Sequence, residues 1–114
     1  MINEKKGIVH TVGEDLSEII NKHDKIIIDF WAPWCGPCVH LGKVIDRLAE
    51  VYGGRIFFGK LNVDTHGEFV QKYEVKQIPT LLFIQKGSTY IHKVVGYRSE
   101  DILREKIDRV FFNQ

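Results

Sequence analysis

Trp34-Cys35-Gly36-Pro37-Cys38 is the stretch that decides the fold prediction, because it contains the only two cysteines of the chain. Two residues separate these cysteines, and in the first turn of a helix this spacing brings the two Cα atoms within the range of a disulfide. The same spacing also occurs in one half of a zinc site. The residues around the pair are therefore needed to interpret it.

Two further segments accompany the cysteine pair. Asp29-Phe30-Trp31 ends an apolar run that starts at residue 26, and Ile78-Pro79-Thr80 opens another apolar run downstream. An apolar run of this length is typical of a strand that is buried on both faces of a sheet. Together with the stretch around the cysteines, these segments resemble the thioredoxin family, and the resemblance covers nearly the whole chain.

Composition and charge narrow the classes of function. The 114 residues have the length of one ordinary domain, and 44% hydrophobic and 27% charged residues are typical of a globular protein. A net charge of +1 leaves no overall electrostatic attraction for nucleic acid or an anionic membrane. We therefore expect a single thioredoxin domain over residues 1–114, with no nucleic-acid or membrane partner.

The cellular location is predicted from what the chain lacks. Residues 1–7 contain no apolar stretch that could serve as a signal peptide, and no segment approaches the roughly twenty apolar residues that span a bilayer. The chain also has no second cysteine pair. We expect a reducing, cytoplasmic compartment, in which a C-x-x-C pair is catalytic or metal-binding more often than structural.

The apolar pattern predicts an α/β fold with the element order β-α-β-α-β-α-β-β-α. The predicted strands cover residues 8–12, 26–31, 56–63, 80–84 and 90–95. Four helices are predicted. Two begin at capping boxes, at residues 11–14 and 65–68, one begins at Cys35 or Gly36, and the last begins at the N-cap residue Ser99. Strands that are separated by helices lie parallel, whereas the short link at 86–88 favours an antiparallel pair. The resemblance adds the thioredoxin fold, a central mixed five-stranded sheet flanked by four helices.

Cys35 is predicted to be the nucleophile. It lies where a strand ends and a helix begins, and the free N–H groups and the dipole of that helix favour a thiolate. Cys38 lies one turn further along and should be less exposed, so we expect it to resolve the mixed disulfide. Pro37 is tolerated in the first helical turn, and Gly36 leaves the approach to the sulfur open.

Metal binding is the alternative reading of the pair. A structural zinc site needs four Cys or His ligands, and the chain has no second pair at suitable spacing. The histidines are scattered singly and are expected to lie at the surface or the edge of the core: His10, His23, His40, His66 and His92. We predict no metal, and the resemblance implies no bound cofactor.

Asp29 is the second candidate for chemistry. A carboxylate inside a strand that is buried on both faces is costly, so its pKa should rise. The alternative is an aspartate at the strand end that is exposed to solvent. The resemblance implies that Asp29 accepts the proton of Cys38, and that Lys60 is the family lysine near this acid.

The segment around Pro79 is predicted to complete the site. The resemblance implies a cis peptide bond before Pro79, a ring that keeps metal from the thiols, and an Ile78 backbone that pairs with an extended substrate. It also implies a flat surface that binds target proteins, made of Trp34, Gly36, Pro37, Ile78, Pro79 and Gly96. Trp34 could otherwise be an aromatic residue of the core.

The chain departs from the family pattern after the second cysteine. Val39 and His40 stand where many thioredoxins have a lysine or arginine, and Gly42-Lys43 occupies the region of a helix-kinking proline. We expect no proline kink, although Gly42 could still allow a bend. These changes bear on the reduction potential and on the choice of reductase.

The predicted function is a protein-disulfide reductase that takes part in electron transport and cell redox homeostasis. The resemblance implies disulfide-containing target proteins as substrates and a flavin- or ferredoxin-dependent thioredoxin reductase as electron donor, and we expect a monomer. A disulfide oxidant or isomerase is less favoured, because Gly36-Pro37 is the pair found in reducing members of the family. A binding subunit whose contacts depend on the redox state is the third alternative.

Overall fold

The computed structural model describes residues 7–114. Its helices and strands follow the predicted order. They are β1 (Val9–Thr11), α1 (Leu16–Lys22), β2 (Lys25–Trp31), α2 (Gly36–Tyr52), a short 3₁₀ turn (Gly53–Arg55), β3 (Phe57–Asn62), α3 (Gly67–Lys72), β4 (Thr80–Gln85), β5 (His92–Val95) and α4 (Glu100–Phe112). No helix of this part of the chain is both long enough and apolar enough to cross a membrane.

The five strands form one mixed sheet in the order β1-β3-β2-β4-β5. β1, β3 and β2 are parallel, whereas β4 is antiparallel to both β2 and β5. The predicted mixed sheet with an antiparallel pair at one side is therefore confirmed. The central position of β2 explains its continuous apolar sequence, because helices cover both faces of the sheet.

Alternating side chains of β2 enter two different parts of the core. Ile27 packs with residues of α2 and α4, whereas Ile28 and Phe30 pack in the cluster that contains Leu16 of α1. Successive side chains of a strand point to opposite faces of the sheet. Asp29, two residues after Ile27, therefore points to the α2 side, towards the helix that carries the cysteines.

Both predicted capping boxes are wrong. Thr11 is the last residue of β1, and α1 begins only at Leu16, after an Asp15 whose side chain does not cap the helix. Thr65 donates its hydroxyl to the Asn62 carbonyl at 3.3 Å, so it is occupied in the turn that follows β3. In both cases the threonine belongs to the strand or turn that precedes the helix. The four-residue sequence pattern does not show this.

The other helix ends agree with their sequence signals. The Ser99 hydroxyl accepts the N–H of Ile102 at 3.4 Å, and Gly53 ends α2 with a positive φ of 57°. The start of β5 differs, because this strand begins at His92 and not at residue 90. The Tyr90 N–H is bonded locally to the Ser88 hydroxyl at 3.2 Å, so it is not available to the sheet.

Candidate active site

The two cysteines lie at the N-terminus of α2 and are joined by a disulfide. Their Cα atoms are 5.2 Å apart, and Cys35 is the N-cap residue in an extended conformation. The Cys38 N–H donates to Cys35 Sγ at 3.3 Å, as an N-cap side chain normally accepts from the first turn. The backbone of α2 is therefore arranged to stabilise negative charge on the Cys35 sulfur.

The two cysteines differ in exposure in the predicted order. Cys35 is 6% exposed and Cys38 is 1% exposed. Gly36, between them, has open space where a β-carbon would stand. Approach to the pair is therefore easiest from the side of Cys35.

The loop before β4 lies against the cysteine pair. The Ile78–Pro79 peptide bond is cis, as predicted. The Ile78 carbonyl oxygen lies 4.0 Å from Cys35 Sγ, and the Gly96 N–H donates to the Pro79 carbonyl at 2.8 Å. The tertiary structure thus brings Ile78 beside Cys35 and Gly96 beside Pro79, although these residues are distant from one another or from Cys35 in sequence.

Trp34 lies on the surface next to Cys35. Its side chain is 70% exposed, so the alternative reading as a core aromatic residue is wrong. The indole N–H donates to Asp64 Oδ2 at 3.0 Å, which holds the ring in place. Asp64 belongs to none of the motifs that mark the site in the sequence. The sequence does contain one indication of its position. Asp64 follows the end of β3, which is parallel to β2, so the residues after both strands lie at the same edge of the sheet.

Asp29 is 3% exposed, and the alternative reading of a solvent-exposed aspartate is wrong. Among the described residues, its Oδ1 atom is buried without a hydrogen-bond partner. Burial raises the pKa of Asp29 from 3.8 to about 7, while the charge of Lys60 lowers it and the charge of Asp46 raises it. The prediction of a raised carboxyl pKa is confirmed.

A cavity of about 230 Å³ connects Asp29 with Cys38, Lys60 and Asp46. Lys60 stands opposite Asp29 in the pairing of β2 with β3, and its ammonium group lies 5.3 Å from the centre of the Trp31 ring. Asp46 also lies outside the motifs that mark the site in the sequence. Its position is eight residues after Cys38, which places both on one face of α2 at two successive i, i+4 steps.

α2 is one uninterrupted helix from Gly36 to Tyr52. Gly42 and Lys43 stand in the region where the family pattern has a helix-kinking proline.

Two of the histidines pack at the edge of the core, as predicted: the His10 and His23 rings lie 4.9 and 4.5 Å from the ring of Phe57. Both histidines are remote in sequence from the cysteine pair.

A disulfide that closes one helical turn, at a helix N-terminus and beside a cis-proline, defines a class of proteins, the thiol-disulfide oxidoreductases. A family model described as thioredoxin matches residues 7–109. The chain belongs to the thioredoxin family, and it is a thiol-disulfide oxidoreductase.

Individual relatives agree with this assignment. The chain is 40% identical over 92 residues to a thioredoxin of Chlorobaculum thiosulfatiphilum, covering 81% of this chain and 84% of the relative. It is 35% identical over 108 residues to the chloroplastic M-type thioredoxin of Pisum sativum, covering 95% of this chain and 61% of the relative.

Solved structures of thioredoxins are also similar to this chain. The N21Q mutant thioredoxin of Halobacterium salinarum superposes with a TM-score of 0.83 at 29% identity, covering 94% of each chain. The thioredoxin of Trypanosoma brucei brucei superposes with a TM-score of 0.84 at 25% identity, covering 96% of each chain. These similarities establish the thioredoxin fold for the chain.

Proposed function

We propose that this thiol-disulfide oxidoreductase works as a reductase of disulfides in target proteins. The observation that supports attack by Cys35 on a disulfide is the hydrogen bond from the Cys38 N–H to Cys35 Sγ at the N-terminus of α2. This donor and the helix dipole stabilise a Cys35 thiolate, which is the form of the thiol that attacks a disulfide. The reducing direction is supported by Gly36 and Pro37 between the cysteines, because this is the pair found in reducing members of the family.

In the first step, the Cys35 thiolate attacks one sulfur of a target disulfide. A Cys35–target disulfide forms as the target S–S bond breaks, and the other target sulfur leaves as a thiolate that takes up a proton. Cys35 acts as the nucleophile because it is the more exposed cysteine and caps the helix.

In the second step, Cys38 acts as the resolving cysteine. It loses its proton and attacks the Cys35 sulfur, so the intramolecular disulfide forms and the second target sulfur is released as a thiol. Asp29 is the proposed proton acceptor, because it shares a cavity with Cys38 and has a pKa of about 7. A base whose pKa is near the ambient pH transfers protons most effectively.

Lys60 is proposed to modulate Asp29. Its positive charge lowers the pKa of the Asp29 carboxyl and so offsets part of the effect of burial. The two residues lie in register on neighbouring parallel strands. Lys60 is therefore a positioning residue that keeps Asp29 partly ionised near neutral pH.

Target proteins are proposed to bind across the surface beside Cys35. The exposed Trp34 ring gives this surface a large apolar contact, and the Ile78 backbone can pair with an extended target segment. The residues proposed to contact targets are Trp34, Gly36, Pro37, Ile78, Pro79 and Gly96.

The oxidised pair must be reduced again by two electrons and two protons. We propose a thioredoxin reductase, flavin- or ferredoxin-dependent, as the donor, which makes the chain a carrier in electron transport and cell redox homeostasis. We also propose that residues 1–114 act as one monomeric thioredoxin domain in the cytoplasm. The match of the family model to residues 7–109 supports the single domain.

Reduction of insulin disulfides by dithiothreitol tests the proposed function. The wild-type protein should accelerate the reaction, and Cys35→Ser should abolish the acceleration because no nucleophile remains. Cys38→Ser should instead accumulate a mixed disulfide through Cys35, which mass spectrometry of the unreduced sample detects. If wild type is no faster than Cys35→Ser, the protein is not a reductase.

The midpoint potential of the cysteine pair separates a reductase from an oxidant. A potential of about −270 mV is expected for a reductase, whereas about −120 to −180 mV is typical of an oxidant or isomerase. Equilibration with glutathione buffers, followed by thiol alkylation, measures this potential. A value in the higher range would exclude the proposed direction.

A further inference from the structure

The sheet has two edge strands, β1 and β5, and β5 packs near α4. β5 pairs with β4 on one side only, and among residues 7–114 no other strand covers its outer edge. A strand at a sheet edge presents backbone N–H and C=O groups that have no partner in the sheet. These groups can bind an extended segment of another protein as an additional strand.

Two neighbouring cavities lie along this edge. One, of about 390 Å³, lies between β5 and α4, and the other, of about 360 Å³, lies towards the start of β5. Arg109 lines both of them. We call the two together the edge groove. Its other lining side chains include Tyr90 and Phe111 at one end, and Arg98, Ile102 and Lys106 at the other.

The edge groove is positively charged. Arg98, Lys106 and Arg109 line it, and within the described part of the chain none of them forms an ion pair with a carboxylate. Glu105 is the one acidic residue of its lining. Burial lowers the pKa of His92, and the charges of Lys106 and Arg109 lower it further, so both cations act on the same part of the groove.

We propose that the edge groove binds an extended, acidic segment of a partner protein, which adds to the sheet beside β5. The unpaired backbone edge favours a polypeptide over other anions, because only a polypeptide can continue the sheet. The unpaired cations select acidic side chains on the face of the added strand that points to α4.

The position of the groove relates it to the active-site surface. Arg98 Nη1 lies 3.4 Å from the point where a β-carbon of Gly96 would stand, and the Gly96 N–H is bonded to the Pro79 carbonyl. The end of the edge groove therefore adjoins the loop beside Cys35. A partner bound along β5 would be held close to the cysteine pair without covering it.

A peptide titration tests the proposal on the oxidised protein, in which no thiol is free to react. The probe is a blocked seven-residue peptide in which four glutamates alternate with three valines, so that all glutamates fall on one face of a strand. Amide shifts in ¹H–¹⁵N spectra should concentrate at residues 92–95 and 106–109. The affinity should fall as salt is raised from about 50 to 500 mM, because the attraction is electrostatic.

Variants of the groove cations test whether these charges bind the peptide. The double variant Lys106→Glu/Arg109→Glu should bind the peptide at least about tenfold more weakly, because attraction becomes repulsion. The milder Lys106→Gln/Arg109→Gln should lie between this variant and wild type. Lys72→Glu, an exposed charge reversal on α3, should leave the affinity unchanged. Unchanged insulin reduction in each variant would show that the fold is intact.

Three results would overturn the proposal. In the first, the same peptide with glutamine in place of glutamate binds as tightly as the acidic peptide. In the second, the charge reversals leave the affinity unaltered. In the third, an octamer of thymidine nucleotides binds the same residues more tightly than the acidic peptide, which would assign the groove to nucleic acid. Because binding is measured without thiol chemistry, failure here is distinct from failure of the proposed reductase function.

Discussion

The indole N–H of Trp34 donates to the Asp64 carboxylate at 3.0 Å, although the two residues are 30 positions apart in the chain. Trp34 is the most exposed large apolar side chain of the described residues, at 70%. An exposed side chain normally loses rotational freedom when a partner binds, which costs about 0.5–1.5 kcal/mol. The bond to Asp64 restricts the ring beforehand and so prepares the surface next to Cys35 for target proteins.

Removal of the Asp64 carboxylate should therefore weaken target binding. We expect Asp64→Ala to raise the KM for insulin about fivefold, which corresponds to about 1 kcal/mol of restored side-chain freedom, with little change in kcat. Steady-state insulin reduction measures both constants. Trp34→Phe, which keeps an aromatic ring but lacks the N–H, should make the Asp64→Ala substitution silent.

The control for this prediction is Asp24→Ala, which removes one exposed carboxylate away from the cysteine pair. It should leave KM unchanged. Equal effects of the two substitutions would mean that net charge, and not the position of the Trp34 ring, sets target affinity.

Replacement of Asp29 by asparagine should stabilise the protein at neutral and higher pH. Burial raises the pKa of Asp29 from 3.8 to about 7. Between these two pH values the folded protein holds a proton that the unfolded chain has lost, so stability falls as pH rises through this window. Above it, ionised Asp29 costs about 4 kcal/mol, and Asp29→Asn removes that cost.

Urea unfolding of the oxidised wild type and Asp29→Asn measures this effect. The variant should be more stable by about 4 kcal/mol at pH 8, and the two proteins should be nearly equal below about pH 3, where Asp29 is protonated in both the folded and the unfolded wild type. A stability difference that does not change with pH would show that Asp29 titrates normally.

Lys60 and Asp46 should shift the pKa of Asp29 in opposite directions. Lys60→Gln removes a charge that lowers this pKa, so the pKa should rise above about 7, whereas Asp46→Asn removes a charge that raises it, so the pKa should fall. Titration of the Asp29 carboxyl carbon by NMR measures both shifts. The double substitution should return the pKa towards that of wild type, and shifts of the same sign would contradict the electrostatic explanation.

Two glycines should respond oppositely to alanine. A β-carbon on Gly59, in β3, would stand 2.6 Å from Val12 Cγ2 and 3.1 Å from Ile28 Cδ1, so Gly59→Ala should cost about 2 kcal/mol through overpacking. Gly42, in α2, has open space at this point, and Gly42→Ala should stabilise the helix by about 0.5–1 kcal/mol. Urea unfolding compares each variant with wild type, and a neutral Gly59→Ala would mean that the neighbours of Gly59 move aside.

Much of the architecture was predictable because it is encoded locally. The continuous apolar run of β2 and the apolar stripe of α2, which has a period of 3.6 residues, each occupy one segment of the chain, so each element can be recognised from that segment alone. Glycine at position 53 and serine at position 99 act on the helix ends beside them. The predictions of capping boxes at 11–14 and 65–68 were wrong because Thr11 belongs to the preceding strand and Thr65 is hydrogen-bonded in the preceding turn.

The sequence by itself determined the order of helices and strands, the placement of the cysteine pair at the start of a helix, and the burial of Asp29 in a central strand. Only the tertiary structure decided that Asp64 holds Trp34, that Asp46 shares a cavity with Asp29, and that the edge of β5 lies open beside unpaired cations. The physical reason is that periodicity and capping depend on neighbours along the chain. Contacts between distant segments depend on strand order and register, which no single segment encodes.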